Sequence, residues 1–261
     1  MSRMIRFLRI NRAVAGSIAV AGIALAGAVP GVASAAGRTP PPATVHVAAA
    51  RVPSSAYVPA KRALQYGMRG SAVRALQHRL AQLEYYPGAA DGQFGSSTQE
   101  AVWAFQEVQG LSADGIVGAQ TEHALVSPRA PQSRYPRGGA LRVEVNLGLR
   151  VLLLYQNNKL ALVSHVSYGG GYYYCSDGSC GRAITPTGHF TTTRFLPGWV
   201  TVPLGQMYNP VFFIGTAYAI HGDTDVPLQP VSHGCVRVPM DIAAFFHTLV
   251  KTPGTPVYIY N

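Results

Sequence analysis

A cysteine lies close to two histidines in the stretch between residues 219 and 237. The thiol of Cys235 follows His233 by two positions, and a second imidazole, that of His221, lies further upstream. A cysteine nucleophile needs a base that takes its proton, donors for an oxyanion and backbone space for a substrate. The histidines supply the base, and the glycine after each of them, Gly222 or Gly234, leaves backbone space. This pattern predicts acyl-transfer chemistry on a thiol.

Either histidine could act as the base. His233 can share a face with Cys235 on an extended segment, because side chains two positions apart point the same way; His221 is the other candidate. The backbone N–H groups at Gly234 and Cys235 are candidate oxyanion donors. Arg237 could hold a substrate carboxylate or form a structural ion pair, and both roles suit a guanidinium.

Two other chemical interpretations fit less well. A zinc site would use His221, His233 and Cys235, but their spacing is not a standard zinc motif and no fourth ligand is evident. A papain-like hydrolase would place its histidine after the cysteine, where only His247 is found, in a segment with helical periodicity. We therefore predict a thiol nucleophile, with no metal and no organic cofactor.

The chain has three cysteines. In an exported protein, an odd number suggests one disulfide and one free thiol. Cys175 and Cys180 flank a short turn-forming stretch that can bring their sulfur atoms together, which would leave Cys235 free. Two alternatives stay open, in which the first two cysteines are reduced or one of them pairs with Cys235.

Residues 1–36 have the pattern of a secretory signal peptide. A basic start is followed by an apolar run from Ala13 to Val29, and small residues suit cleavage at the end of the segment. The alternative is an uncleaved membrane anchor, although an apolar run broken by Pro30 suits a span poorly. We expect export, and the Pro- and Ala-rich residues 37–60 predict an extended linker.

Residues 61–126 predict a small module of three helices with an internal repeat. The segment that begins at Asp91 recurs at Asp114, and each copy starts with Asp-Gly and ends in threonine. Apolar residues at helical spacing precede and follow the first copy. Ser97 and Glu100 are expected to form a capping box at the start of the second helix. A plain helical spacer would show the same turns.

The second half of the chain has a different periodicity. Residues 127–138 are rich in proline and predict a second linker. From residue 139 the apolar pattern changes from helical to alternating, with one amphipathic helix after Pro239. Mostly short strands with a single helix indicate a β-sandwich-like domain over 139–261. Strands are predicted at 141–145, 151–155, 160–166, 189–193, 211–214, 218–221 and 257–260.

The segment Ser232-His233-Gly234-Cys235-Val236-Arg237 resembles the signature of the L,D-transpeptidases, whose catalytic domain is of the YkuD type. Thr185-Pro186-Thr187-Gly188-His189-Phe190 resembles a supporting motif of that family, and the resemblance covers about residues 139–261. Residues 61–126 resemble the three-helix peptidoglycan-binding module. One departure is the spacer from His221 to Ser232, which is shorter than is usual in the family and concerns the lid over the substrate.

The resemblance implies a cysteine acyltransferase of the cell wall. His221 would be the base, oriented by the carbonyl of Gly222, and His233 would help to shape the site. Ser232 and Arg237 would contact the substrate. The thiol would attack the third residue of a stem tetrapeptide, release D-alanine and pass the acyl group to an amine on a second stem. The alternatives are hydrolysis, which is an L,D-carboxypeptidase activity, and a domain that binds peptidoglycan without catalysis.

Charge and composition agree with a cell-wall polymer as the partner. The net charge is +10, from 21 Lys and Arg against 11 acids, which suits an anionic surface. Nucleic acid is the rival partner, but no basic patch is interleaved with aromatic residues. We expect a monomer that binds peptidoglycan outside the cytoplasm and has no membrane span once the signal peptide is removed.

Overall fold

The computed structural model describes residues 57–176 and 178–261. The predicted signal peptide and nearly all of the first predicted linker lie outside the described residues. The elements in chain order are α1 (Ser71–Gln82), α2 (Ser96–Gln109), α3 (Ala119–Val126), β1 (Arg142–Asn146), β2 (Val151–Gln156), β3 (Lys159–His165), β4 (Tyr173–Ser176), β5 (Ser179–Arg182), β6 (Gly188–Thr191), β7 (Arg194–Phe195), β8 (Trp199–Val202), β9 (Gly205–Ile214), β10 (Tyr218–Asp223), β11 (Val236–Pro239), α4 (Met240–Leu249) and β12 (Pro256–Tyr260).

The repeat in the helical region is a hydrogen-bonding unit. The amide of the buried Gln77 donates to the carboxylate of Asp91 (3.2 Å) and to the hydroxyl of Thr98 (3.0 Å), and its oxygen accepts from the N–H of Gly92 (2.8 Å). Each copy therefore fixes an Asp-Gly turn to the start of the next helix, and the repeated side chains serve the fold. The second copy uses Gln106, Asp114, Gly115 and Thr121 in the same way.

The start of α2 differs from the prediction. Its N-cap residue is Gly95, with no side-chain hydrogen bond at the cap, so the predicted capping box of Ser97 and Glu100 is wrong. Glu100 is instead half-buried and interacts electrostatically with Asp241 of α4. Burial, and then the charge of Asp241, raise the pKa of Glu100 to about 8. The side chain that was expected to cap a helix thus lies between the helical and β-rich regions.

Replacement of Glu100 by glutamine should stabilise the protein at alkaline pH. In the unfolded chain a glutamate loses its proton near pH 4.5, whereas folded Glu100 holds its proton up to about pH 8. Folding takes up a proton between these values, so the stability falls as the pH rises through them. We expect Glu100→Gln to raise the free energy of unfolding at pH 8 by roughly 1–3 kcal/mol, with no gain at pH 4. Urea unfolding at both pH values measures this, and a gain of equal size at pH 4 would contradict it.

Two packed sheets form the β-rich region. One has the strand order β3-β2-β1-β12-β6, and the other has the order β11-β10-β9-β7 with β8 paired to β9. Apolar side chains of both sheets meet in one core, and α4 packs against the same core. This arrangement confirms the predicted β-sandwich-like domain behind a three-helix module. The core includes Val143, Val145, Leu152, Leu154, Val211, Ile220, Val236, Val257 and Phe246.

Strand β2 is buried on both faces. Leu152 and Leu154 point into the core between the sheets, whereas Val151, Leu153 and Tyr155 pack into a second core with the three helices. The two sets alternate along the strand because successive side chains point to opposite faces of a sheet. The helical region therefore shares a hydrophobic core with the β-rich region.

The edge strand β3 is covered in the same way. Val163 lies in the core shared with the helices, and its backbone N–H donates to the carbonyl of Glu84 at 2.8 Å. Covering an edge strand removes a row of unpaired backbone groups. Residues 127–138 have neither helix nor strand; the side chain of Gln109 hydrogen-bonds both backbone groups of Arg129 in this segment.

Candidate active site

Two neighbouring strands position the predicted base and nucleophile. β10 and β11 are parallel, with His221 opposite Arg237, and Cys235 immediately precedes β11. Side chains two positions apart lie on the same face of a strand, so the thiol and the imidazole point to one side of this sheet. There they line a pocket of about 570 Å³ together with His233 and Asp223.

His221 is held as a neutral proton acceptor. It is 4% exposed, and its Nδ1 lies 2.9 Å from the carbonyl oxygen of Gly222. That oxygen can only accept, so we assign the ring hydrogen to Nδ1, which leaves Nε2 able to take a proton. Burial lowers the pKa of His221, as does the charge of Arg237, against opposing effects of the Gly222 hydrogen bond and Asp223. The imidazole is therefore neutral at neutral pH, the form that a general base requires.

Cys235 is a free thiol and is half-buried. Its Sγ lies 3.7 Å from the carbonyl oxygen of Ala217. Burial raises the pKa of Cys235, and a backbone hydrogen bond at Ala219 and the charge of Arg237 only oppose this effect. The resting pair is thus a neutral thiol and a neutral imidazole rather than an ion pair. A nucleophilic attack from this state would require the thiol to lose its proton in the same step.

Side-chain hydroxyls hold the turn that precedes the cysteine. Ser232 Oγ donates to the carbonyl of Cys235 (2.6 Å) and accepts from the N–H of Gly234 (3.0 Å). Thr185 Oγ1 donates to the carbonyl of Gly234 at 2.7 Å. Gly234 has a φ of +143°, and a Cβ there would lie 2.7 Å from the ring of Tyr218. The supporting motif and the Ser-His-Gly-Cys turn are therefore one hydrogen-bonded unit that tolerates only glycine at its centre.

The turn bears on two predicted roles. Ser232 was expected to contact substrate; it is among the residues that line the pocket, but it is 2% exposed and its hydroxyl is engaged within the turn, so its contact with substrate stays a prediction. Gly234 was expected to offer its N–H to an oxyanion, but that N–H already donates to Ser232. Ser232 lies only two or three residues before the groups that it contacts, so its hydroxyl can reach both the N–H of Gly234 and the carbonyl of Cys235. The N–H of Cys235 remains the candidate oxyanion donor.

Two hairpins contribute walls of the pocket. The β4–β5 hairpin is closed by a disulfide between Cys175 and Cys180, with an S–S distance of 2.00 Å, and it places Tyr174 in the wall. The tip of the β8–β9 hairpin supplies residues 202–207. The disulfide leaves Cys235 as the free thiol in the lining of this pocket.

His233 packs within the first of these walls. The rings of Tyr174 and Tyr172 meet its ring edge-on, with centroids 4.8 and 5.5 Å away. Burial lowers the pKa of His233, and the charge of Arg237 acts in the same direction. Sequence reasoning missed both tyrosines, although the run Tyr172-Tyr173-Tyr174 directly before Cys175 was a usable signal.

Arg237 forms an ion pair and also lines the pocket, so its predicted contact with a substrate carboxylate stays a prediction. Its Nε lies 3.1 Å from Oδ2 of Asp223, and its Nη1 donates to the carbonyl of Asp225 at 3.2 Å. Both side chains of the ion pair are about one-fifth exposed, at 19% and 18%. Asp223, the last residue of β10, thus holds this guanidinium in the lining of the pocket.

Metal-binding groups and membrane-spanning helices were sought in the described residues, 57–176 and 178–261. Within these ranges no group of three or more His, Cys, Asp or Glu side chains is arranged to hold a metal ion. None of the helices in this part of the chain is long and apolar enough to cross a membrane.

Two family models and a solved structure match parts of this chain. A family model for a peptidoglycan binding domain matches residues 69–125, and the model for the L,D-transpeptidase catalytic domain matches residues 140–259. The crystal structure of an L,D-transpeptidase from Xylanimonas cellulosilytica is 37% identical in sequence, with a TM-score of 0.72. The alignment covers 78% of this chain and 100% of that one.

Curated relatives match over a shorter stretch. The zinc D-Ala-D-Ala carboxypeptidase of Streptomyces albus G is 51% identical over 63 residues, which are 22% of this chain and 24% of the relative. The N-acetylmuramoyl-L-alanine amidase CwlM of Mycobacterium tuberculosis is 43% identical over 63 residues, which are 23% of this chain and 16% of the relative. The chain thus spans less than a quarter of the length of either protein.

The fold, the pocket and these matches define a cell-wall enzyme with a peptidoglycan-binding domain. The chain belongs to the L,D-transpeptidase family.

Proposed function

We propose that this protein crosslinks peptidoglycan stem peptides by L,D-transpeptidation, with Cys235 as the nucleophile and His221 as its base. One observation carries the proposal: both side chains line one pocket, and the bond from Nδ1 of His221 to Gly222 leaves Nε2 as the proton acceptor. A neutral imidazole beside a protonated thiol suits a nucleophile that is activated only when a substrate carbonyl is present.

In the first step, Sγ of Cys235 bonds to the carbonyl carbon of the third residue of a stem tetrapeptide. Nε2 of His221 takes the thiol proton at the same time. Backbone donors stabilise the oxyanion that forms, and the N–H of Cys235 is the candidate for this role. The carbon–nitrogen bond then breaks, the imidazolium returns its proton to the departing amine of D-alanine, and a thioester remains.

In the second step, an amine on the third residue of a neighbouring stem attacks the thioester. His221 takes a proton from this amine as the new amide forms, and the thiol of Cys235 leaves and recovers the proton. Water in place of the amine would give a tripeptide, which is the L,D-carboxypeptidase reaction. The aromatic wall at His233 would limit which acceptor enters.

The partner and the location follow from the two domains. The helical module would bind peptidoglycan and bring the catalytic pocket to its polymeric substrate. Export through the predicted signal peptide would place the enzyme outside the cytoplasm, in association with the cell wall. The positive net charge supports attraction to an anionic wall.

Incubation of the purified protein with tetrapeptide stems tests the reaction. We expect release of D-alanine and a crosslinked dimer, identified by mass spectrometry, and little release from pentapeptide stems. A tripeptide without dimer would assign L,D-carboxypeptidase activity instead. Release of D-alanine from pentapeptide alone would contradict the proposed donor. No reaction with either stem would favour a protein that only binds peptidoglycan.

A further inference from the structure

A buried polar contact joins the helical module to the β-rich region. Oε1 of Glu107, on α2, lies 2.5 Å from Nε of Arg150, which precedes β2. Oε2 of the same carboxylate lies 3.9 Å from Nδ1 of His165 at the end of β3. The side chains of Glu107 and His165 are 2% and 0% exposed. A charge buried this deeply is costly unless it has a partner.

His165 faces the catalytic loop on its other side. Its Nε2 lies 3.3 Å from the carbonyl oxygen of Pro227, in the loop of residues 224–231 that connects β10 to the nucleophile turn. Because a carbonyl oxygen only accepts, Nε2 must donate in this contact. His165 therefore lies directly between the module and the loop, and Trp103 of α2 packs against its ring with centroids 5.4 Å apart.

The residues that follow His165 also form hydrogen bonds with the catalytic loop. Ser167 Oγ donates to the carbonyl of Gln229 (2.9 Å) and accepts from the N–H of Val231 (3.3 Å). The N–H of Ser232 donates to the carbonyl of Tyr168 at 2.9 Å. Residues 165–168 thus hold the catalytic loop as far as the first residue of the nucleophile turn.

The module contacts this support through the ring of His165. Trp103, on α2, packs edge-on against this ring on one side, while Nε2 of the same ring donates to the carbonyl of Pro227. The packing of Trp103 thereby favours the ring orientation in which Nε2 reaches the loop.

We propose that Trp103 and His165 are positioning residues, through which the docked module holds the loop of residues 224–231 and the turn that carries Cys235. The module is then a structural part of the active site in addition to its role in binding the wall. The order of the loop does not depend on the reaction assigned above, whereas the effect on acylation rests on the proposed function.

The test compares three variants of the purified protein. His165→Phe keeps the ring against Trp103 and loses the hydrogen bond to Pro227, and His165→Gln restores an N–H donor. Tyr86→Leu is the matched control, since it removes another contact between the regions, the edge-on packing of Tyr86 on Phe245 of α4 (5.0 Å). Amide hydrogen exchange over residues 224–235 and the rate of acylation by a carbapenem are measured. The carbapenem is a small soluble probe, so anchoring to the wall cannot influence its rate.

For His165→Phe we expect amide exchange in the loop to become about tenfold faster and acylation about tenfold slower, the effect of one buried hydrogen bond. His165→Gln should recover most of both, and Tyr86→Leu should lower the melting temperature without changing either. Unchanged loop exchange in His165→Phe, or equal loop exchange in His165→Phe and Tyr86→Leu, would overturn the proposal. If the wild type took up no carbapenem, the proposed function would fail and the exchange comparison would still decide this inference.

Discussion

Replacement of Cys235 by alanine is expected to abolish the covalent adduct that we expect the wild-type protein to form with a carbapenem under the proposed function. The disulfide occupies the other two cysteines, so Cys235 is the free thiol of the chain. Its removal takes away the acceptor of the acyl group rather than slowing the transfer. Intact-protein mass spectrometry measures the adduct directly, and the wild type should gain the mass of one carbapenem.

The fold should survive this change, because the turn is held by Ser232, Gly234 and Thr185 rather than by the thiol. Unchanged thermal unfolding is therefore the control. His221→Ala should retain the thiol and acylate more slowly, by roughly the 10²–10⁴-fold typical of a lost general base. An adduct that persists in Cys235→Ala would show that another residue is the nucleophile.

Removal of the helical module is expected to unfold the catalytic region. A protein of residues 139–261 would expose the outer face of β2 and the covered part of β3. Four side chains would lose their cover, and each contributes about 1.5–3 kcal/mol by burial. The sum, roughly 6–12 kcal/mol, is comparable with the whole stability of a typical domain. The side chains are Val151, Leu153, Tyr155 and Val163.

Thermal unfolding and carbapenem acylation of the shortened protein measure this effect. The matched control is the full chain cut at a protease site placed within residues 127–138. Because the shared core would hold the two pieces together, the cut protein should retain most of its acylation rate. A shortened protein with wild-type melting temperature and acylation rate would mean that the shared core contributes little stability.

Much of the fold could be predicted from local patterns. The alternation of apolar residues from Leu141 onward predicted seven of the twelve strands in the described residues and missed β4, β5, β7, β8 and β11. Helical spacing with two Asp-Gly turns predicted the module. The candidate nucleophile segment could be singled out because its residue types are adjacent in the chain. These features depend on neighbours in sequence, which is where patterns are informative.

The features that were missed depend on contacts between distant segments. The run Val151-Leu152-Leu153-Leu154-Tyr155 was assigned to a strand, but its lack of alternation also indicated burial on both faces. Glu100 has the spacing of a capping-box residue, but it does not cap α2. It interacts with Asp241 instead, because α4 packs against the module. Ser232 belongs to the signature, but only the folded turn reveals that its hydroxyl is used internally.

The core shared by the three helices and β2 changes what the module can do on the wall. A domain on a flexible tether lets its enzyme sample many positions around the anchoring point. Here the helical region shares a hydrophobic core with the β-rich region that carries the thiol, so under the proposed function each bound position would bring one defined location on the polymer within reach of Cys235. The spacing of the proposed crosslinks would then be set by the dimensions of the protein.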